Sequence, residues 1–251
     1  MQPPAPWQSE AWLAQMRTQL RTNAFLRMIE NRWVTAESDF VEMDWWDACV
    51  DSALSPELQR SGMLLWLGVD ASVKRDSTAI VGVTWDDQAR KVRQVLHHIF
   101  QPSQDDPLDF EATIEATLKD LATRFAIMTV WYDPYQLVSS AQRLTAVGLP
   151  MEEYPQTMDR LTAMSSNLYD LIKGRNFVTY PDEIVRLAVS RAVAVENPRG
   201  WRIAKTKASH KIDVVIALAM ACLACVKGTP WAAGDDFEEV FDHGLYGGFV
   251  L

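Results

Sequence analysis

Three short apolar runs, LLWLGVD at 64–70, TAIVGVTW at 78–85 and KVRQVLHHIF at 91–100, follow one another with charged, turn-forming residues between them. Runs of this length, rich in Val, Ile, Leu and aromatic residues, predict three consecutive antiparallel strands. The period then changes. Phe110, Ile114, Leu118, Leu121 and Phe125 recur at helical spacing behind Asp106-Pro107, a cap and first-turn pair, predicting a helix over 106–125. IMTVWYD (127–133) reads as a buried strand, Tyr135 to Val147 as a helix closed by Gly148, and PMEEYP as a short strand. A second amphipathic helix is predicted over 159–173 with Leu161, Met164, Leu168 and Leu171 in phase and Gly174 closing it. Further helices are expected over 182–195 and 210–226, with a hairpin strand at 200–205 between them. Antiparallel strands followed by alternating helix and strand belong to a mixed α/β sheet flanked by helices, not to a doubly wound Rossmann sheet.

Residues before and after this stretch differ in character. Residues 1–55 read as a helical arm or linker: they hold Trp7, Trp12, Trp33, Trp45 and Trp46, and a helical pattern from Glu10 to Glu30 with Leu13, Met16 and Leu20 on one face. Aromatic density of this order is expected to pack against a domain or a partner. Residues 56–227 form the α/β domain. Residues 228–251 carry Asp235, Asp236, Glu238, Glu239 and Asp242 without one Lys or Arg, and read as a flexible acidic tail.

A net charge of −9 argues against a protein that coats nucleic acid or membrane by bulk positive potential, while leaving room for a local basic groove. The apolar stretch from Ile212 to Val226 is interrupted by Asp213 and too short to span a bilayer. The N-terminus lacks the basic-then-apolar order of a secretory signal. Three cysteines fit a reducing compartment, and Cys222 and Cys225, a C-x-x-C inside an apolar helix with no second ligand pair, read as core residues.

Three aspartates stand where a strand ends or a helix begins: Asp70 in LGVDAS, Asp133 in VWYDPY and Asp213 in SHKIDVVIALAMA. A strand-end or N-cap role accounts for any one of them alone. A carboxylate closing a buried strand is costly unless solvated, paired or metal-bound, and three at one sheet edge would repel one another. Hard oxygen donors of this kind suit magnesium or manganese. Two such ions about 3.5–4 Å apart, bridged by one carboxylate, activate a water and stabilise the leaving oxygen of a phosphodiester. Asp70, expected mid-sheet, is the natural bridging residue. Asp76, at the turn in KRDST, is either a fourth carboxylate or a β-turn residue.

Together, GVDASVKRDSTAIV, WYDP and SHKIDVVIALAMAC resemble the nuclease domain of tailed-phage terminase large subunits, which has an RNase H-like fold. NRWVTAESDFVEMDWWDACV resembles the segment that joins packaging ATPase to nuclease in that family. The resemblance covers most of residues 20–226 and implies metal-dependent endonucleolytic cutting of double-stranded DNA during genome packaging, in the cytoplasm of a bacterial host. It implies Asp70, Asp133 and Asp213 as catalytic metal ligands for two Mg2+ or Mn2+ ions, with Asp76 as a helper. The partners it implies are double-stranded DNA, the packaging ATPase, the portal and the small terminase subunit. There is no GxxxxGK[ST], so this chain is not expected to be the translocating ATPase by itself.

Arg199, Arg202, Lys205, Lys207 and Lys211 form a basic stretch without one acid, leading into the Asp213 turn. This is what holding a phosphate backbone near the metals requires, although a solvated hairpin face would look the same. Lys74 and Arg75 suit a charged turn equally well. Trp201 either stacks on DNA or packs against the sheet, and His210 either positions a phosphate or caps the last helix. Two other readings remain: a Holliday-junction resolvase or transposase-like nuclease on the same fold, and a non-catalytic docking module whose Trp-rich arm and acidic tail are the working surfaces.

Overall fold

The computed structural model describes residues 9–19, 25–26, 28–31, 37–71, 77–102, 108–197, 200–207 and 209–229. The chain divides into two compact units, one comprising Met1–Ser38 with Ala233–Leu251 and the other Asp39–Ala232. In the first, α1 (Glu10–Gln19) starts where the Ser9 hydroxyl accepts the Trp12 N–H at 3.1 Å, and Arg17 pairs with Glu30 at 3.3 Å. The expected helix over 10–30 is seen over Glu10–Gln19 and again at Phe25, Leu26 and Met28, where the Ile29 N–H donates to the Phe25 carbonyl at 2.9 Å; residues 20–24 and 27 lie outside the described residues. β1 (Glu37–Asp39) falls where one unit gives way to the other.

The larger unit is built on β2 (Leu64–Asp70), β3 (Thr78–Asp86), β4 (Lys91–Phe100), β5 (Ala126–Tyr132), β6 (Met151–Glu153) and β7 (Phe177–Val178). They form one sheet in the order β6-β5-β2-β3-β4-β7. The β2–β3 and β3–β4 pairs are antiparallel; β2–β5, β5–β6 and β4–β7 are parallel. This is the expected mixed sheet, with β2 in its interior and both faces of β2 and β3 buried, as their unbroken apolar runs require. β7 is the strand the sequence hid: two residues give no period to read.

Helices cover the sheet. On one side α3 (Ala116–Arg124, entered through a π turn at Glu111–Glu115) and α4 (Pro134–Ala146) close over Leu65, Leu67, Ile80, Val95 and Val130 through Ile114, Leu118, Leu121, Leu137 and Leu144. Asp106 and Pro107 lie outside the described residues, but Leu108, Asp109 and Phe110 are not helical, so the helix expected from 106 starts at Glu111, where Asp109 accepts the Glu111 N–H at 2.9 Å. On the other side α7 (Asp213–Gly228) lies across β2 and β3, fully buried from Val214 to Cys225, with α5 (Met158–Lys173) packed beside it. Such a helix is apolar all round because it is covered all round. The α7 thiols are core groups, as expected: burial raises Cys222 well above its ordinary value and pushes Cys225 up to about 12.

α2 (Met43–Asp47) brings Trp46 against Phe177 at 5.8 Å and Trp45 against Tyr169 at 6.0 Å, so these two tryptophans pack as aromatic density predicts. The left-handed residue after α5 is Arg175 (φ 56°), not Gly174, whose φ is −78°. One boundary is corrected. The helix expected over 182–195 is α6 (Glu183–Arg191), and Ala192–Asn197 is strand β8, paired antiparallel with β9 (Gly200–Lys205). Val185, Ala188, Val189 and Ala192 continue a helical period, but β9 offers residues 192–197 a full ladder of partners, and pairing overrides the local pattern.

Candidate active site

Asp70 is the last residue of β2 and Asp133 directly follows Tyr132, the last residue of β5. The two strands are parallel neighbours with Val69 opposite Tyr132, so both carboxylates emerge at the same end of the sheet. Ligand sites of open α/β sheets form outside these carboxyl ends. Asp213 arrives by another route. A Cβ added at Gly68 would stand 2.1 Å from the Ala217 carbonyl oxygen and 2.8 Å from the Ala221 nitrogen, so α7 rests directly on β2 at that glycine. Asp213 lies one turn before Ala217, and Ser77 fixes which way that turn faces. Ser77 precedes β3, whose Ala79 is opposite Asp70, and its hydroxyl donates to Asp213 Oδ2. The first turn of α7 therefore meets the sheet at the end where β2 delivers Asp70.

All three aspartates are half-buried. Asp133 also caps α4, accepting the Tyr135 N–H at 3.2 Å, so the capping role foreseen for a lone aspartate is real here. Asp213 does not serve as a cap: the cap position of α7 is Ile212, which makes no side-chain bond. The donor set is hard oxygen throughout, which fits magnesium or manganese. Among the described residues, no three His, Cys, Asp or Glu side chains are gathered so as to hold an ion. Asp76, Lys74 and Arg75 lie outside the described residues.

Ser77, 3 % exposed, is the residue that sequence reasoning missed. Nothing nearby in the chain marks it, because its partner is 136 residues away.

Within the described part of the basic stretch, Arg202 and Lys205 do not share a face, because side chains alternate along β9. Lys207 is exposed beyond the strand, Lys211 is half-buried just before α7, and Arg199 lies outside the described residues. Trp201 packs at 5.8 Å from Tyr169 of α5 and 6.2 Å from Phe40, so the rings it meets belong to a helix and to the segment after β1 and not to the six-stranded sheet. His210 Nδ1 stands 3.4 Å from Thr206 Oγ1. A cavity of about 560 Å³ is lined by Trp66, Trp131, Tyr154, Arg160, Lys227 and neighbours, and lies towards the opposite end of α7 from Asp213.

No protein-family model and no curated protein matches the sequence. Solved structures do match. The large terminase of bacteriophage HK97 superposes with a TM-score of 0.64 over 86% of this chain at 17% identity. The large terminase nuclease of thermophilic phage G20c, in a structure with bound magnesium, gives a TM-score of 0.55 at 16% identity over 72% of this chain. The chain has the fold of phage large-terminase nuclease domains. The large terminase of a further thermophilic bacteriophage adds a TM-score of 0.59 over 84% of the chain at 13% identity. The chain spans about half the length of the HK97 large terminase and of this last one (50% and 51%), and the match takes in 95% of the G20c nuclease. The terminase-nuclease fold thus accounts for the mixed sheet and the helix laid across it. No helix among the described residues is long and apolar enough to cross a membrane.

Proposed function

We propose that this chain is a divalent-metal-dependent endonuclease that cuts double-stranded DNA during phage genome packaging, in the host cytoplasm. The observation that carries the reading is the delivery of Asp70, Asp133 and Asp213 to one end of the sheet by two parallel strands and the buried helix lying across them. The large-terminase nuclease fold supports it, as do the G20c nuclease structures with bound magnesium and with bound cobalt.

Asp70, Asp133 and Asp213 are the ligands, joined by Asp76. These residues would hold a pair of magnesium or manganese ions, which would supply activation of a water and offset charge on the departing 3′ oxygen. Asp70, at the end of the interior strand β2, would be the shared ligand. Ser77 holds the Asp213 carboxylate in one orientation, and Tyr135 N–H does the same for one oxygen of Asp133. Arg199, Arg202, Lys205, Lys207 and Lys211 contribute the phosphate contacts, Arg202 and Lys205 from opposite faces of β9. The packaging ATPase, the portal and the small terminase subunit are the partners.

The test is cleavage of linear duplex and of plasmid with Mn2+ or Mg2+. Asp70→Asn, Asp133→Asn and Asp213→Asn should each lower the rate by at least about 100-fold with unchanged circular dichroism. Full activity in Asp70→Asn would overturn the mechanism, and strong preference for a four-way junction would replace the packaging role with a resolvase.

A further inference from the structure

α4 buries Leu137, Ser140, Ala141 and Leu144 against the sheet, as its helical period dictates. Its opposite face carries Tyr135, 86 % exposed, and Val138, 43 % exposed, one turn apart. An aromatic ring left almost wholly in water forgoes the burial that most tyrosines find, and such rings recur where a partner covers them. This one is not at a random point on the surface. Its own N–H is bonded to the carboxylate of Asp133 at 3.2 Å, so the base of the side chain is fixed two residues from a candidate metal ligand. Among the described residues, Ile184 and Leu187 form another exposed apolar pair, on α6, which follows the edge strand β7 and not a strand that ends in one of the three aspartates.

We infer that Tyr135 is a DNA-contacting residue, its ring packing on the deoxyribose of the nucleotide beside the scissile phosphate while Val138 extends the same apolar contact. The inference rests on the nuclease reading above. Successive phosphates of one strand lie about 3.4 Å apart along the duplex axis. A ring anchored next to Asp133 therefore reaches the neighbouring nucleotide when the carboxylates face a phosphate. In an intact duplex the base faces are stacked away and the sugar offers the nearest apolar surface. The contact is uncharged, which separates it from the lysine and arginine contacts of β9. It positions the strand and takes no part in proton transfer.

The experiment measures binding of the full chain to a labelled linear duplex over a series of salt concentrations, with Ca2+ replacing Mg2+ to prevent cutting. Tyr135→Ala should raise Kd about tenfold without changing the slope of log Kd against log salt, because no phosphate contact is lost. Tyr135→Phe should stay within about twofold of wild type, and Lys207→Ala should lower the slope. In Mn2+ cleavage assays Tyr135→Ala should raise KM more than it lowers kcat. Kd unchanged in Tyr135→Ala, or a slope lowered by it, overturns the inference and leaves this face to a protein partner. A wild-type chain that cuts while Tyr135→Ala behaves identically overturns the tyrosine contact alone. A wild-type chain that cuts nothing overturns the nuclease reading beneath it.

Discussion

Ser77 donates its hydroxyl hydrogen bond to Asp213 Oδ2, tying the entrance of β3 to the first turn of α7 across 136 residues of chain. Ser77 is buried, so the bond is sheltered from competing water. It is the contact that sets the orientation of a candidate ligand without being a ligand itself.

Replacing this serine is therefore expected to separate positioning from folding. Ser77→Ala should cost about 1.5–3 kcal/mol, the usual loss for a hydrogen bond to a charged group, and still fold. Cleavage should fall about tenfold, in kcat rather than KM, and Ser77→Thr should recover most of it. Urea unfolding read beside steady-state kinetics checks both halves; full kcat in Ser77→Ala would show that Asp213 needs no such partner.

Two glycines on neighbouring strands should behave differently. At Gly68 an added methyl meets backbone of α7, the Ala217 oxygen at 2.1 Å and the Ala221 nitrogen at 2.8 Å, and only a shift of the whole helix relieves it. Gly68→Ala should cost about 3 kcal/mol, the upper end for overpacking, and should lose cleavage with stability because α7 carries Asp213. At Gly82 the nearest atoms are side-chain methyls of Leu65 and Leu67 at 3.1 Å, which turn aside more easily, so Gly82→Ala should cost about 1 kcal/mol. Equal urea midpoints for the two variants would contradict the seating of α7 on β2.

On β4 the half-buried imidazole of His97 places Nδ1 2.6 Å from the Tyr180 hydroxyl and Nε2 3.6 Å from Asp182 Oδ2. Burial lowers its pKa and Asp182 only partly opposes this; His98 is lowered too, first by burial and then by His97 and Arg124. For a base whose folded pKa is depressed, the unfolded chain binds more protons, so stability is full above the ordinary value near 6.5 and declines as pH falls below it. Unfolding free energy should therefore drop between pH 7 and pH 5, and His97→Gln should flatten part of that slope. A wild-type curve that is level over this range, measured by urea titration at each pH, would show that both imidazoles charge freely in the fold.

Local chemistry governs how much of this was readable. The ends of β2, β3 and β4 follow the sequence within a residue or so because long apolar runs stop at charged turns, and α5 starts and stops where its amphipathic period does. The α6–β8 junction at Arg191 and Ala192 misleads because a short Val/Ala-rich run satisfies a helical period as well as a strand, and its fate rests on β9. The basic residues of 199–211 read as one surface only while their strand is ignored; once β9 forms, its alternation divides Arg202 from Lys205.

What the sequence determined by itself was the main strands and helices, with β1, β7, β8 and α2 left out, and the aspartates that stand at their ends, since hydrophobic period and strand-terminating charge are properties of short stretches. What only the tertiary structure decided was that the first turn of α7, which carries Asp213, meets the sheet end where β2 stops, that Ser77 bonds Asp213, and that Tyr135 stands in water beside Asp133. Those facts depend on where α7 crosses β2 at Gly68 and on which face of α4 the sheet leaves uncovered, and both are set by packing between residues far apart in the chain.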